Sequence, residues 1–233
     1  MKIIPLSQGT FSVNKQKDFV LLNKENSKTG LVMEVKTFVI ITARDVILLD
    51  SGLASQPGTE NVTVLLEQNK ILPQQVTKVL MSHLHKDHAG GIGEVQGQVF
   101  QENFPNAKIY IQKREYDFAL TQTQNPSFDF EQLSHLKNLP NVVWLDEDSG
   151  QIDPNISFEV TKGHTPFHQV FWLKDQYQII FFGADELPRK SYLNRSIAYK
   201  TDHDGAVGKS LRKKWEQQAT NENWTILFYH DEL

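Results

Sequence analysis

The chain has 233 residues, with 24 basic and 28 acidic side chains, a net charge of −4, 39% hydrophobic residues and no cysteine. That supports the core of one sizeable domain, so residues 1–233 are read as a single unit. Disulfides, thiolate zinc sites, iron–sulfur clusters and cysteine nucleophiles are excluded, and the lack of a long basic run argues against nucleic acid as a partner.

In chain order, the N-terminus turns polar at Ser7-Gln8-Gly9, too early for a secretory segment. No run approaches roughly 18 apolar residues, so no membrane partner and a cytoplasmic location are expected. The final His230-Asp231-Glu232-Leu233 spells an ER-retention tetrapeptide, read as coincidence because no entry signal accompanies it. Phe19 to Leu22, Gly30 to Val35, Thr37 to Thr42 and Asp45 to Asp50 are rich in β-branched and aromatic residues and predict strands. Apolar residues at 62, 65 and 66 predict an amphipathic helix within 59–70, and 76–82 predicts a buried strand. Gly90, Gly91, Gly93 and Gly97 mark a loop or a weak helix start. Beyond them we expect a strand at 109–111, a helix at 113–121 and a polar surface loop at 122–127. Strands follow at 142–145, 156–161, 168–173 and 178–183, then a helix at 206–219 and a strand at 224–229. Two runs of strands, each followed by helices, imply an α+β or layered α/β domain.

The informative segment is Ser82-His83-Leu84-His85-Lys86-Asp87-His88. His83 and His85 are two apart, so an extended backbone points both to one side, and a turn can bring Asp87 and His88 beside them. Imidazoles with a carboxylate suit zinc, iron or manganese.

This segment, continued by Ala89-Gly90-Gly91, resembles the signature of the metallo-β-lactamase superfamily, in particular its lactonase-type branch. Gly163-His164-Thr165-Pro166, Phe181-Phe182-Gly183-Ala184-Asp185 and Leu227-Phe228-Tyr229-His230-Asp231 resemble its later motifs, and Leu48-Leu49-Asp50-Ser51-Gly52 its early one. The resemblance implies an α/β fold, the four-layer αββα sandwich, with two metals at one edge. It implies that His83, His85 and His164 hold one ion, that Asp87, His88 and His230 hold the other, and that Asp185 bridges them. Asp50 and His168 would support the ligands from behind. Two Zn2+ are the expected cofactors, with Mn2+ or Fe2+ as alternatives. Asp87 would be the catalytic residue, orienting a metal-activated water and protonating the leaving group.

The function so implied is hydrolysis of an ester-like bond, a carboxylic ester or lactone, in a small-molecule substrate. Phosphotriesters or thioesters are less favoured, and the alternative from another class is a one-iron oxidoreductase resembling persulfide dioxygenases. A homodimer is left open. Lactonases of this type commonly carry a Tyr three residues after the bridging Asp, where this chain has Pro188, and Phe167 stands where Gly is usual. His135 and His203 are read as ordinary polar residues, and Lys209, Arg212, Lys213 and Lys214 as a solvated helix face. The stretch from Phe11 to Phe19 and the loop from Gln122 to Phe130 are candidates for the pocket rim.

Overall fold

Alternating burial along the strands sorts their side chains onto two faces, and that alternation builds the layers. The computed structural model describes residues 1–23, 30–56, 58–97 and 99–231, so Glu232 and Leu233 of the terminal tetrapeptide lie outside the described residues. A seven-stranded sheet has the order β2 (Phe19–Leu21), β1 (Lys2–Val13), β3 (Leu31–Ile41), β4 (Val46–Leu49), β5 (Lys78–Leu80), β8 (Lys108–Gln112), β9 (Val142–Leu145). Its first four strands pair antiparallel and β4, β5, β8 and β9 run parallel. A five-stranded sheet follows as β10 (Ser149–Asp153), β11 (Ile156–Val160), β12 (Gln169–Lys174), β13 (Ile179–Phe182) and β14 (Thr225–Leu227). Here β14 joins parallel to β13 and the other pairs are antiparallel. A small hairpin, β6 (Gly93–Gln96) and β7 (Val99–Glu102), stands apart from both sheets.

Ile47, Leu49, Leu80 and Tyr110 point from the first sheet toward Phe158, Phe171, Leu173, Ile180 and Phe182 of the second, forming the inter-sheet core. Their neighbours Leu48, Val79, Ile109 and Ile111 point the other way, against α1 (Val62–Gln68), α3 (Lys113–Thr121) and α4 (Phe130–Leu136). On the far side, Val170 and Phe181 pack against Trp215 of α5 (Gly205–Glu222). Burying side chains of this size contributes about 2–3 kcal/mol each. The result is the αββα sandwich expected from the motifs. No described helix is long and apolar enough to cross a membrane.

Several elements differ from the sequence expectation. The runs at 30–35 and 37–42 form one strand, because Lys36 does not interrupt it. Its Nζ donates to the Asp231 carbonyl at 2.6 Å, while buried Glu34 accepts from the hydroxyls of Ser7 and Thr10. β1 pairs along nearly all of β3, and its alternation is masked in the sequence by a register shift between Ser7 and Gly9. β10 and the β6–β7 hairpin also went without a sequence signal, being polar and short of apolar alternation.

Candidate metal centre

The residues singled out by the motifs emerge at one edge of the sandwich, from loops of both sheets. From the first sheet, Asp50 directly follows β4 with φ 54°, a left-handed conformation that Asp tolerates better than most residues. Its carboxylate accepts from the Ser82 N–H at 2.7 Å and the Ser82 hydroxyl at 2.7 Å. His83 and His85 follow β5, and His85 is the extended residue that opens α2 (Lys86–Ala89), the single turn carrying Asp87 and His88. The loop after that turn lies flat on the Asp50 loop: the Ser51 N–H donates to the His88 carbonyl at 2.7 Å, and a Cβ on Gly91 would stand 2.1 Å from the Ser51 carbonyl oxygen. Glycine is required there by close approach.

From the second sheet, His164 follows β11 after Lys162 at φ 61°, and Asp185 follows β13 after Ala184 at φ 42°. Left-handed backbone is costly for lysine and alanine, so both loops carry strain beside the site. The buried Glu186 carboxylate anchors the His164 loop, accepting from the Thr161 hydroxyl at 2.6 Å and from the Gly163 and His164 N–H groups at 3.1 and 3.2 Å. His230 follows β14, its N–H donating to the Pro188 carbonyl at 2.9 Å.

These loops form two clusters of metal-ligand type. His83, His85, His164 and Asp185 make one, and Asp87, His88 and His230 the other, with the ligand-type atoms of each within 4.8 Å of one another. Asp185 lies between them. Its Oδ2 is 3.2 Å from His164 Nε2, and its Oδ1 is 3.2 Å from His88 Nε2 and 2.9 Å from His230 Nε2. Asp87 Oδ2 is 3.7 Å from Nε2 of both His88 and His230.

The donor set fits metal ions on two counts. His88 Nε2, His230 Nε2 and Asp185 Oδ1 are buried and close together, yet none makes a hydrogen bond with a described residue. Donors about 2.0–2.2 Å from one ion stand about 3–3.5 Å apart, the spacing seen here. Second, the opposite ring nitrogens are already committed. His88 Nδ1 is 2.7 Å from Asp50 Oδ2, His164 Nδ1 is 2.9 Å from Asp202 Oδ1, and His230 Nδ1 donates to the Glu34 carbonyl at 2.6 Å. Such partners fix the tautomer and direct Nε2 inward. His83 Nδ1 lies 3.0 Å from the Ser82 hydroxyl, and its Nε2 is 3.0 Å from His85 Nδ1.

Electrostatics divide the same groups. Burial, with neighbouring imidazoles, pushes His83 and His85 well below the ordinary histidine range, keeping them neutral as ligation requires. Burial opposes charge on His88 too, but the carboxylates of Asp185 and Asp87 outweigh it and raise His88 well above that range. Against the same burial, the imidazoles of His230, His88 and His164 hold Asp185 well below the carboxylate range.

His168, expected behind the ligands, is buried with its ring 5.0 Å from that of His83 and its Nδ1 3.3 Å from the Thr161 hydroxyl; it joins neither cluster. The sequence reading gave no role to Asp202, Glu186, Ser82 or the Glu34 carbonyl, although Ser82 opens the histidine motif itself and Asp202 stands beside His203 in the turn ahead of α5. Tyr229 was likewise missed: its ring stacks on His88 at 4.0 Å and its hydroxyl donates to the Asp87 carbonyl at 2.6 Å. One reading is corrected. Arg212 is not part of a solvated face: it is 3% exposed, donates to the Glu186 carbonyl at 2.7 Å, and lies over the Tyr192 ring. Phe167 lies beneath the Arg114 guanidinium at 5.1 Å.

A pocket opens on the clusters, lined by His85, Asp87, His164 and Asp185 at its base. Lys17 and Phe19 from the β1–β2 hairpin and Ser127 from the 122–130 loop reach its wall, as both rim candidates anticipated. Tyr199 and Thr201 complete another side.

Comparison with known proteins bears on the family and the fold. The profile of the metallo-β-lactamase superfamily matches residues 32–230. An N-acyl homoserine lactonase of Bacillus cereus is 24% identical over 176 residues, a match spanning 74% of this chain and 62% of that protein. A probable metal-dependent hydrolase from Staphylococcus aureus superposes with TM-score 0.77 at 17% identity, over 99% of this chain and 89% of that one. AidC, a dizinc quorum-quenching lactonase in complex with a product, superposes with TM-score 0.75 at 20% identity, over 98% and 86% of the two chains. From its sandwich, its ordered motifs and its profile match, the chain belongs to the metallo-β-lactamase superfamily.

Proposed function

We propose that this chain is a binuclear metal-dependent hydrolase of an ester-like bond, a carboxylic ester or a lactone, in a small molecule. The observation that carries the proposal is the pair of adjacent clusters that Asp185 links, one carboxylate oxygen toward each. His83, His85 and His164 would hold one ion and Asp87, His88 and His230 the other, with zinc favoured and manganese or iron(II) as alternatives. Bound there, two divalent ions supply an activated water near neutral pH and a Lewis acid for the carbonyl oxygen.

The chain's own groups do the rest. Asp87 faces the pocket, and with one carboxylate oxygen turned toward the ion the other would orient the attacking water, take its proton and pass it to the leaving oxygen. Tyr229 and the α2 turn fix the Asp87 backbone, so this carboxylate need not be ordered at the moment of reaction. Pro188 cannot supply a phenol, and Tyr199, which lines the pocket wall, holds its hydroxyl against that of Tyr192. The similarity to lactonases supports ester chemistry, and the complete second cluster favours a two-metal hydrolase over a one-iron oxygenase.

Metal analysis with an ester and lactone panel tests this. About two zinc or manganese per chain, with hydrolysis lost in His164→Ala, is the expected result. One iron per chain with thiol-dependent oxygen uptake would overturn it.

A further inference from the structure

The pocket over the clusters holds two lysines that nothing in the hydrolytic chemistry uses. Lys86 lies between His85 and Asp87, so its backbone is fixed by the ligand motif itself, and its ammonium sits 5.9 Å over the Phe19 ring. Lys17 occupies the β1–β2 turn at φ 59° and lines the same wall. Both are only partly exposed, and neither ammonium has an ion pair or hydrogen bond with a described residue. Asp18 and Asp129 stand on the adjoining surface, with no described ion pair to either lysine. Asp18 accepts from the Asn14 side chain at 2.8 Å, and Asp129 caps α4 by accepting from the Gln132 N–H at 3.2 Å.

Charge balance makes the pair more conspicuous. Asp50, Asp87, Asp185 and Asp202 set four carboxylates around the clusters, which offsets two divalent ions without help from either lysine. With the centre balanced in this way, the two ammonium groups remain at the pocket wall for an anion that comes from outside the chain. Leu31 and Met33 continue the wall as an apolar strip next to Phe19.

We infer that Lys17 and Lys86 form an anion subsite, and that the preferred substrate is an ester or lactone carrying a carboxylate separated from the scissile carbonyl by a short apolar chain. This rests on the hydrolase reading and names its substrate class. The carboxylate would sit between the two ammonium groups, the methylene chain would lie along Phe19, Leu31 and Met33, and the scissile carbonyl would reach Asp87.

The test compares monoaryl esters of glutaric, adipic and suberic acids with neutral aryl esters of the same chain length, on the metal-loaded protein. The best anionic ester should exceed its neutral match by about tenfold in kcat/KM, expressed mainly in KM. That preference should weaken several-fold between low and high salt. Lys17→Gln and Lys86→Gln should each bring the anionic-to-neutral ratio toward one, and Lys86→Glu should shift preference to an ester ending in trimethylammonium. Independently of turnover, adipate should shield both lysines from amine acylation read by mass spectrometry, whereas hexanamide should not. Hydrolysis of neutral esters with no anionic preference, and a ratio unmoved by the variants, overturns the subsite and leaves the hydrolase reading standing. If no ester is cleaved, that reading fails, and the acylation experiment decides the subsite: shielding by adipate supports it, and its absence overturns it.

Discussion

His88 and His230 have no exposed surface, whereas His85 of the other cluster faces the pocket and stays partly open. The deeper cluster has its ring nitrogens fixed by a buried carboxylate and a strand carbonyl, Asp50 and Glu34, and a stacked tyrosine behind it. The outer cluster leans on a serine hydroxyl and on Asp202, which comes from the turn before α5. The deeper cluster is therefore braced by a carboxylate at a strand end and a strand carbonyl, and the outer one by a hydroxyl and a carboxylate from loops near the pocket. Rigid ligands suit tight retention of an ion, while open ones suit exchange and contact with substrate.

Substitutions can break this contrast in order of severity. Asp185→Asn removes the one carboxylate that serves both clusters and should lower metal content at both and bring turnover to background, read by metal analysis and kinetics. Asp50→Asn and Asp202→Asn separate them. The first loosens His88 and, through Ser82, also His83, so metal affinity should fall about 10–100-fold at the deeper site, with a smaller loss at the outer one. The second should weaken the outer site alone by a similar factor, read by chelator competition. If both variants lose the same ion, the two clusters are not independently supported.

The last effect concerns stability rather than metal. Glu115 on α3 is buried under the His164 loop, accepting from the Thr165 hydroxyl at 2.7 Å, and burial raises its carboxyl from 4.5 to about 7. Between those values the native chain keeps a proton that the unfolded chain has released, so this group's contribution to stability falls as pH rises and levels off above about 7. Glu115→Gln should flatten that slope, worth about 3 kcal/mol across the window, in denaturant unfolding at pH 5 and pH 8.

Much of the site was legible because its ligands sit in short motifs: His83 to His88 share a strand end and one turn, and Asp50, His164, Asp185 and His230 each lie at a loop near a strand end. The layered architecture followed from the same motifs, and the apolar runs placed β4, β9 and α3 well. What stayed hidden depends on contacts between distant segments. The carbonyl of Glu34 holding His230 leaves no trace in residue type, and Arg212 looked solvated because its neighbours on α5 are lysines. Glu186 and Asp202 are ordinary acids until the second sheet folds them behind His164. β1 was obscured because polar Ser7 and Gln8 serve buried hydrogen bonds, to Glu34 and to the Leu53 backbone.

The position of the clusters has a mechanical consequence for a chain without cysteine. His83, His85, Asp87 and His88 belong to one sheet's loops, and His164, Asp185 and His230 to the other's. Ions held as proposed would cross-link the sandwich at its edge and close long loops, the role disulfides play in other small proteins. Chelation would then act as reduction does elsewhere, lowering the melting temperature and increasing amide exchange first at the strand ends nearest the site, while the Trp215 side of the molecule stays protected.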